Sequence, residues 1–418
     1  MSAALAPALP VALDATAERS VRRRVTVIWA LLFLNVLEYV SLPTVFALPQ
    51  TVAKVVTQAA LGLALLLALT VNRRLVVRPN ILLVLASLLA ASSLMISVRS
   101  EVSRVGSDVR AVRLIGFVLV LWLLTPWWGR SDLMLTRVHL RCLVAVLGIV
   151  VLGVLVSPHL AFTQGRLGGD LWPIEPTQVA HYAAVVAGIV AVMWLSGVLS
   201  KRKAALLFPV AVIILLLTHT RTALVALLAG VLVASLSLFA WRRRVRRVIV
   251  TCLVFLVLGG AAFAPAVSTW FTRGESTTEL TDLTGRTIVW SELVNAPRDK
   301  AQMIFGFGLS NGGFDGLPID NSWLATYQDQ GLLGDVIDGL MLASLLTVAA
   351  FRPRSPARAI ALFILSYCLI ASFTETGLGE ASPYMLDLAV AASLLAPSFV
   401  WPSRARLREP AVGSVASA

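Results

Sequence analysis

The sequence is short of charge. Only 14 % of its 418 residues are Asp, Glu, Lys or Arg, where a soluble globular chain carries roughly 25 %. That shortage excludes an ordinary soluble domain. Lysine is almost missing, with 4 Lys among 35 basic residues, a bias that suggests a GC-rich bacterial genome. Histidine is equally scarce: His139, His159, His181 and His219 show no metal-ligand spacing. The three cysteines, Cys142, Cys252 and Cys368, each lie in an apolar run and read as small core residues. There is no Gly-rich phosphate loop and no nucleophile elbow around a serine. Neither ATP hydrolysis nor metal catalysis therefore has a motif, and no cofactor or metal is expected. The first twenty residues lack the basic, apolar, cleavage-site order of a signal peptide.

What the chain has instead is apolar length. Mean hydropathy is +0.85. The apolar runs predict an all-α, polytopic membrane protein of about twelve spans, near 25–41, 52–71, 80–97, 111–127, 139–157, 178–199, 204–219, 222–240, 248–265, 323–350, 358–374 and 384–401. The organisation expected is a disordered cytoplasmic tail over 1–22, nine spans within 23–265, a large extracytoplasmic loop over 266–322, three spans within 323–402 and a second disordered tail over 403–418. The loop contains Trp270, Phe271, Trp290, Phe305, Phe307 and Phe314, enough apolar surface to pack, so it is expected to be ordered. The run from 323 is overlong for a span and is expected to begin outside the bilayer.

The net charge of +13 would suggest nucleic acid in a soluble protein. Here the basic residues cluster between apolar runs, which is how orientation in a membrane is encoded. One set of alternate segments holds 24 of the 35 basic residues, Arg22–Arg24, Lys201–Lys203 and Arg242–Arg244 among them. The positive-inside rule then puts both termini in the cytoplasm, as an even number of spans requires.

Several polar residues fall on the expected outer side. Arg221 occupies a turn so short, His219-Thr220-Arg221-Thr222, that the flanking spans must form a hairpin. Thr222 or Thr220 could cap the next helix, whose N-terminus favours an anion, and arginine adds a fork suited to phosphate. It could equally be an arginine snorkelling to head groups. Arg286 precedes Trp290 by one helical turn and could simply pack on it. Arg166 lies in a Gly-rich stretch, where a salt bridge with Asp170 is the plain reading. Glu375 and Glu380 could be ordinary loop charges. Asp320 and Asn321, in "PIDNSWLATYQDQGLLG", precede an amphipathic stretch, and either could be its N-cap. A carboxylate this close to lipid needs a partner or a job.

Taken in order, GRLGGDLWPIEPTQVA, TRTA, "GR" with Trp four residues after the Arg, FGFG, DNSWL and GLLG resemble the O-antigen ligase and polymerase superfamily over about residues 160–380. The resemblance implies an all-helical, metal-free enzyme of the bacterial inner membrane, acting on the extracytoplasmic face. It would move a glycan from a polyprenyl-diphosphate carrier to a hydroxyl of a glycan or glycolipid acceptor. Carried over, Arg221 and Arg286, with Arg166, would bind the diphosphate; Asp320 would be the catalytic base, supported by Asn321, Thr222, Trp290 and Glu375. Asp320 stands where the ligases carry histidine, which puts a lipid A core acceptor in doubt without removing a base. One-step displacement predicts inversion at the anomeric carbon.

Two other classes compete. A flippase or transporter of lipid-linked glycans would suit twelve spans, but such proteins place ionisable residues at mid-membrane, and within the predicted spans only Glu38 and Arg113 stand out. A lipid-monophosphate-dependent glycosyltransferase would want a carboxylate in the first outer loop, and "SLPTVFALPQ" has none.

Overall fold

The computed structural model describes residues 10–40, 44–45, 49–99, 104–130, 133–239, 242–272, 286–310 and 313–397. It is helical almost throughout. The elements are α1 (Pro10–Val36), α2 (Gln50–Val71), α3 (Ile81–Arg99), α4 (Arg104–Leu124), α5 (Met134–Val156), α6 (Pro158–Ala161), β1 (Phe162–Thr163), β2 (Arg166–Leu167), α7 (Pro176–Leu195), α8 (Lys201–Leu217), α9 (Arg221–Phe239) and α10 (Arg243–Thr272). Then come α11 (Arg286–Asn295), α12 (Lys300–Phe305), β3 (Gly313–Phe314), β4 (Leu317–Pro318), α13 (Ser322–Phe351), α14 (Pro356–Ala371) and α15 (Pro383–Leu395).

Twelve of these helices fall one for one on the twelve apolar runs. Seven are long and apolar enough to cross a membrane: α2, α3, α4 with the 3₁₀ turn that follows it, α5, α7, α9 and α13. The outward faces are apolar, with Leu155, Leu206, Leu228 and Leu236 all exposed, as expected where the surrounding solvent is hydrocarbon. Helix α1 already begins at Pro10, inside the stretch expected to be a tail, and α10 runs to Thr272, past the predicted span end. Residues 273–285 of the long loop and the tail 403–418 lie outside the described residues.

Helix α7 forms the centre, buried on nearly every side and packed against α5, α8, α9 and α14. Small residues let its neighbours close in. A Cβ at Gly188 would fall 1.8 Å from the Phe363 ring, and one at Gly230 would fall 2.9 Å from it, so that ring wedges α14 between α7 and α9. Buried polar groups tie further helices. Arg113 on α4 donates to the Asn35 carbonyl at 2.8 Å, satisfying an acceptor at the C-terminal end of α1 that has no helical partner. His139 on α5 and His181 on α7 lie 2.7 and 3.1 Å from the two oxygens of Asp387 on α15. Trp29 of α1 donates to Nδ1 of His139, which leaves the proton of that ring on Nε2, facing the carboxylate.

These groups correct the reading that ionisable residues are scarce within the spans. Asp335 and Asp338 lie in α13 past its break, Asp329 just before it, and Asp387 in α15. Asp387 is the lone acid of its helix, whereas Asp329, Asp335 and Asp338 share α13, where the surrounding apolar residues mask them in a run-length reading.

Helix α13 is broken at Gly331, which adopts φ 66°, ψ −166°. Two consequences follow. The part after the break runs to Phe351, about 30 Å of helix at 1.5 Å per residue and enough for one bilayer crossing. The part before it, 322–330, is a separate helical segment across the break. The break also strips two carbonyls of helical partners, and the FGFG stretch supplies replacements. Phe307 N–H donates to the Gln328 carbonyl at 3.0 Å, and Gly308 N–H to that of Asp329 at 2.8 Å. Contact is so close that a Cβ on Gly306 would lie 2.4 Å from Asp329 backbone, and one on Gly331 would lie 2.4 Å from Ile304 backbone. Two of the quoted motifs, FGFG and GLLG, are thus halves of one joint.

Candidate functional site

Two tight hairpins deliver the chemistry. In the first, Gln164 (φ 51°) and Gly165 (φ 74°) turn β1 into β2; in the second, Asp315 (φ 49°) and Gly316 (φ 82°) turn β3 into β4. Positive φ at both central residues is the type I′ signature, which suits Asp-Gly especially. The first hairpin presents Arg166 and then leads through Pro176, at the first position of α7, into the bundle. The second leads through Ile319 to Asp320.

Asp320 itself has φ 46°, a left-handed conformation that Asp tolerates better than most residues. It is not the cap of α13. Asn321 caps, its Oδ1 accepting from Leu324 N–H at 3.1 Å while its Nδ2 donates to the Phe373 carbonyl at 3.1 Å. With Asn321 in that role, the Asp320 carboxylate faces sideways and meets Arg286. Arg286 Nε and Nη2 both donate to Oδ2, at 3.0 and 2.9 Å. Each side chain stays partly open, 26 % exposed for Arg286 and 33 % for Asp320. Trp290 sets the register by donating from Nε1 to the Ile319 carbonyl at 2.6 Å. Behind it Leu293, Ile319 and Ala325 form a small core with Phe314, Leu324 and Tyr327.

Arg166 does not pair with Asp170. Its Nε donates to the Thr218 carbonyl at 3.0 Å and its Nη2 to Thr220 Oγ1 at 3.2 Å, because the hairpin aims it at the turn between α8 and α9. Asp170 is instead fully buried against Gly153. Arg221 begins α9 beside that turn, but its Nη2 reaches the Thr272 carbonyl at 3.4 Å and not the Arg286–Asp320 pair. Thr222 is the second residue of α9, and Thr220, not Thr222, meets Arg166.

Two carboxyls, Glu375 and Glu175, lie near these arginines and a third, Glu380, near Arg113 and Arg110. Glu375 follows α14, and its backbone carbonyl accepts from Ser322 Oγ at 2.7 Å. Burial pushes its carboxyl up to about 8, against the pull of Arg286 and Arg166. Burial also raises Glu175, with Asp320 adding repulsion and Arg166 opposing, and raises Glu380, against Arg113 and Arg110. The Arg166 guanidinium is lowered by burial while Glu375, Glu175 and Asp320 support its charge. Glu175 and Glu380 were legible only as charges; nothing in their spacing joins them to Asp320.

Residues 204–337 match the family model described as O-antigen ligase. That is about a third of the chain, and it supports membership of the O-antigen ligase and polymerase superfamily, the one its motifs resemble. The matched segment holds Arg221, Arg286, Asp320 and both halves of the Gly331 joint; Arg166 and Glu375 lie outside it. Among curated proteins, none matches the chain. The chain is a multi-pass membrane protein of glycosyltransferase type, in keeping with the match and the apolar helices.

Proposed function

We propose that this protein transfers a glycan from a polyprenyl-diphosphate carrier to a hydroxyl of a glycan or glycolipid acceptor, at the extracytoplasmic surface of the bacterial inner membrane. The observation that carries the proposal is the pairing of Arg286 with Asp320 next to Arg166, within the segment that matches the ligase family. Arg286 and Arg166 bind the diphosphate, with Arg221 guarding the adjacent turn. Oxygens of the diphosphate compete with Asp320 for Arg286, so that donor binding frees the carboxylate. The acceptor hydroxyl oxygen then attacks the anomeric carbon as the carbon–oxygen bond to phosphate breaks. The proton passes to Asp320, and the diphosphate leaves with its charge held on arginines, work a metal ion would otherwise do. A single displacement inverts the anomeric centre.

A second reading has one observation in its favour. Helix α13 is discontinuous and carries buried acids near its break, a feature of transporters that bind substrate at broken helices. The deciding experiment incubates purified protein with a polyprenyl-diphosphate glycan and a panel of acceptors, with and without EDTA. Free carrier diphosphate together with glycosylated acceptor supports the transferase. Intact lipid-linked glycan moving between leaflets of reconstituted vesicles, with no carrier released, supports the transporter.

A further inference from the structure

A pocket adjoins the site on the far side of Ser322. It lies between the first part of α13 and the loop 376–380, and its lining includes Ser322, Thr326, Asp329, Gln330, Gly379 and Glu380. Its interior measures about 20 Å³, room for one water or one small polar group. The lining is rich in acceptors. Gln330 is 1 % exposed and Asp329 7 %, yet Gln330 Oε1 and Asp329 Oδ1 find no hydrogen-bond partner among the described residues. Buried acceptors left so are costly and ask for a donor.

The rest of each side chain is fixed. Gln330 Nε2 donates to Ser93 Oγ at 3.0 Å and to the Gly379 carbonyl at 2.7 Å, which turns Oε1 the other way. Asp329 Oδ2 accepts from Ser310 N–H at 3.0 Å. Thr326 Oγ1 donates to Asp338 Oδ2 at 2.9 Å. Gly379 keeps the space open: a Cβ there would fall 2.8 Å from Thr326 Oγ1 and 2.9 Å from Gln330 Oε1. Arg113 and Arg110 balance Glu380 from α4, so the pocket does not call for a cation.

We infer that this pocket binds one hydroxyl or hydroxymethyl group of a sugar, with Asp329 and Gln330 as acceptors. It rests on the transferase reading for its substrate class and deepens it: a sugar ring anchored here lies beside Ser322, two residues from Asp320. The hydroxyl belongs either to the donor glycan or to the acceptor, and both present the same chemistry.

The test uses the full chain in detergent and saturation-transfer NMR with methyl glycosides of glucose, galactose, mannose and N-acetylglucosamine, each beside its monodeoxy analogues. The expected result is that one glycoside binds and that removing one particular hydroxyl weakens it about tenfold, the worth of one hydrogen bond. Asp329→Asn, which keeps the volume but turns an acceptor into a donor, erases that preference, as does Gly379→Ala, which fills the pocket. If wild-type protein prefers no hydroxyl, or if both variants fold and bind as wild type does, the pocket holds water only and the inference is overturned. In the turnover assay the same variants raise the KM of one substrate, donor or acceptor, and so say which sugar is anchored. Failure of the transferase reading registers separately, as absence of carrier release by wild-type protein whatever the NMR shows.

Discussion

Arg286 gives both of its hydrogen bonds to a single oxygen of Asp320, Nε at 3.0 Å and Nη2 at 2.9 Å. The carboxylate thus occupies the Nε–Nη2 edge of the guanidinium, the edge that a phosphate would also engage.

If Asp320 occupies the place of the donor diphosphate, its charge should weaken anion binding as well as serve catalysis. Asp320→Asn is predicted to bind inorganic diphosphate several-fold more tightly, measured as inhibition of carrier release. The same variant should lose about 10²–10⁴ in turnover, the worth of a general base. Arg286→Ala should lose both, with a raised donor KM. An Asn variant that turns over like wild type would remove Asp320 from the chemistry.

Asn321 is predicted to matter through α13 rather than through substrate. Asn321→Ala loses the cap and should cost about 0.5–2 kcal/mol, seen as a lower thermal unfolding temperature in detergent. Asn321→Asp retains the accepting oxygen and should recover most of that. Equal unfolding temperatures for wild type and the Ala variant would show that the bond to Leu324 contributes nothing.

How far the sequence disclosed this site depends on the kind of signal. The apolar runs set the helices because a span must bury its backbone polarity over a bilayer's thickness; each run coincides with a described helix, seven of them long and apolar enough to cross. The Arg286–Trp290 spacing was legible because one helical turn is local geometry, while the Asp315-Gly316 hairpin that leads to Asp320 was not read from the sequence. For Arg166 the plain alternative, a salt bridge with its sequence neighbour Asp170, does not form, and its partners are 52 and 54 residues away. Spacing carries no trace of a contact made by tertiary packing. The choice of Asn321 over Asp320 as cap was equally hidden, since both types cap well and only the backbone angle of Asp320 separates them.

Asp387 is predicted to be structural. It joins α15 to α5 and α7 through His139 and His181, all within 2 % exposure. Removing one partner from a buried ionic cluster costs about 3–5 kcal/mol. Asp387→Ala should therefore unfold at a markedly lower temperature in detergent, or fail to accumulate, and Asp387→Asn should be milder. If the Ala variant were as stable as wild type but inactive, the cluster would belong to function instead.

Glu375 should make both stability and activity depend on pH. Its carboxyl is raised to about 8 in the folded protein by burial, against 4.5 unperturbed. Between those values the native state holds a proton that the unfolded chain has released. Stability from this group is therefore fully present below about pH 4.5 and declines as pH rises toward 8. Glu375→Gln, always neutral, should flatten that decline, so the two proteins differ most in unfolding temperature at alkaline pH. Carrier release should respond as well. Ionising Glu375 adds a negative charge beside Arg286 and Arg166, which opposes binding of the diphosphate, so wild-type donor KM should rise above pH 8 and that of Glu375→Gln should not. Should the KM profiles coincide, Glu375 does not face the arginines when donor is bound; should the unfolding profiles coincide too, its proton is not held in the folded state.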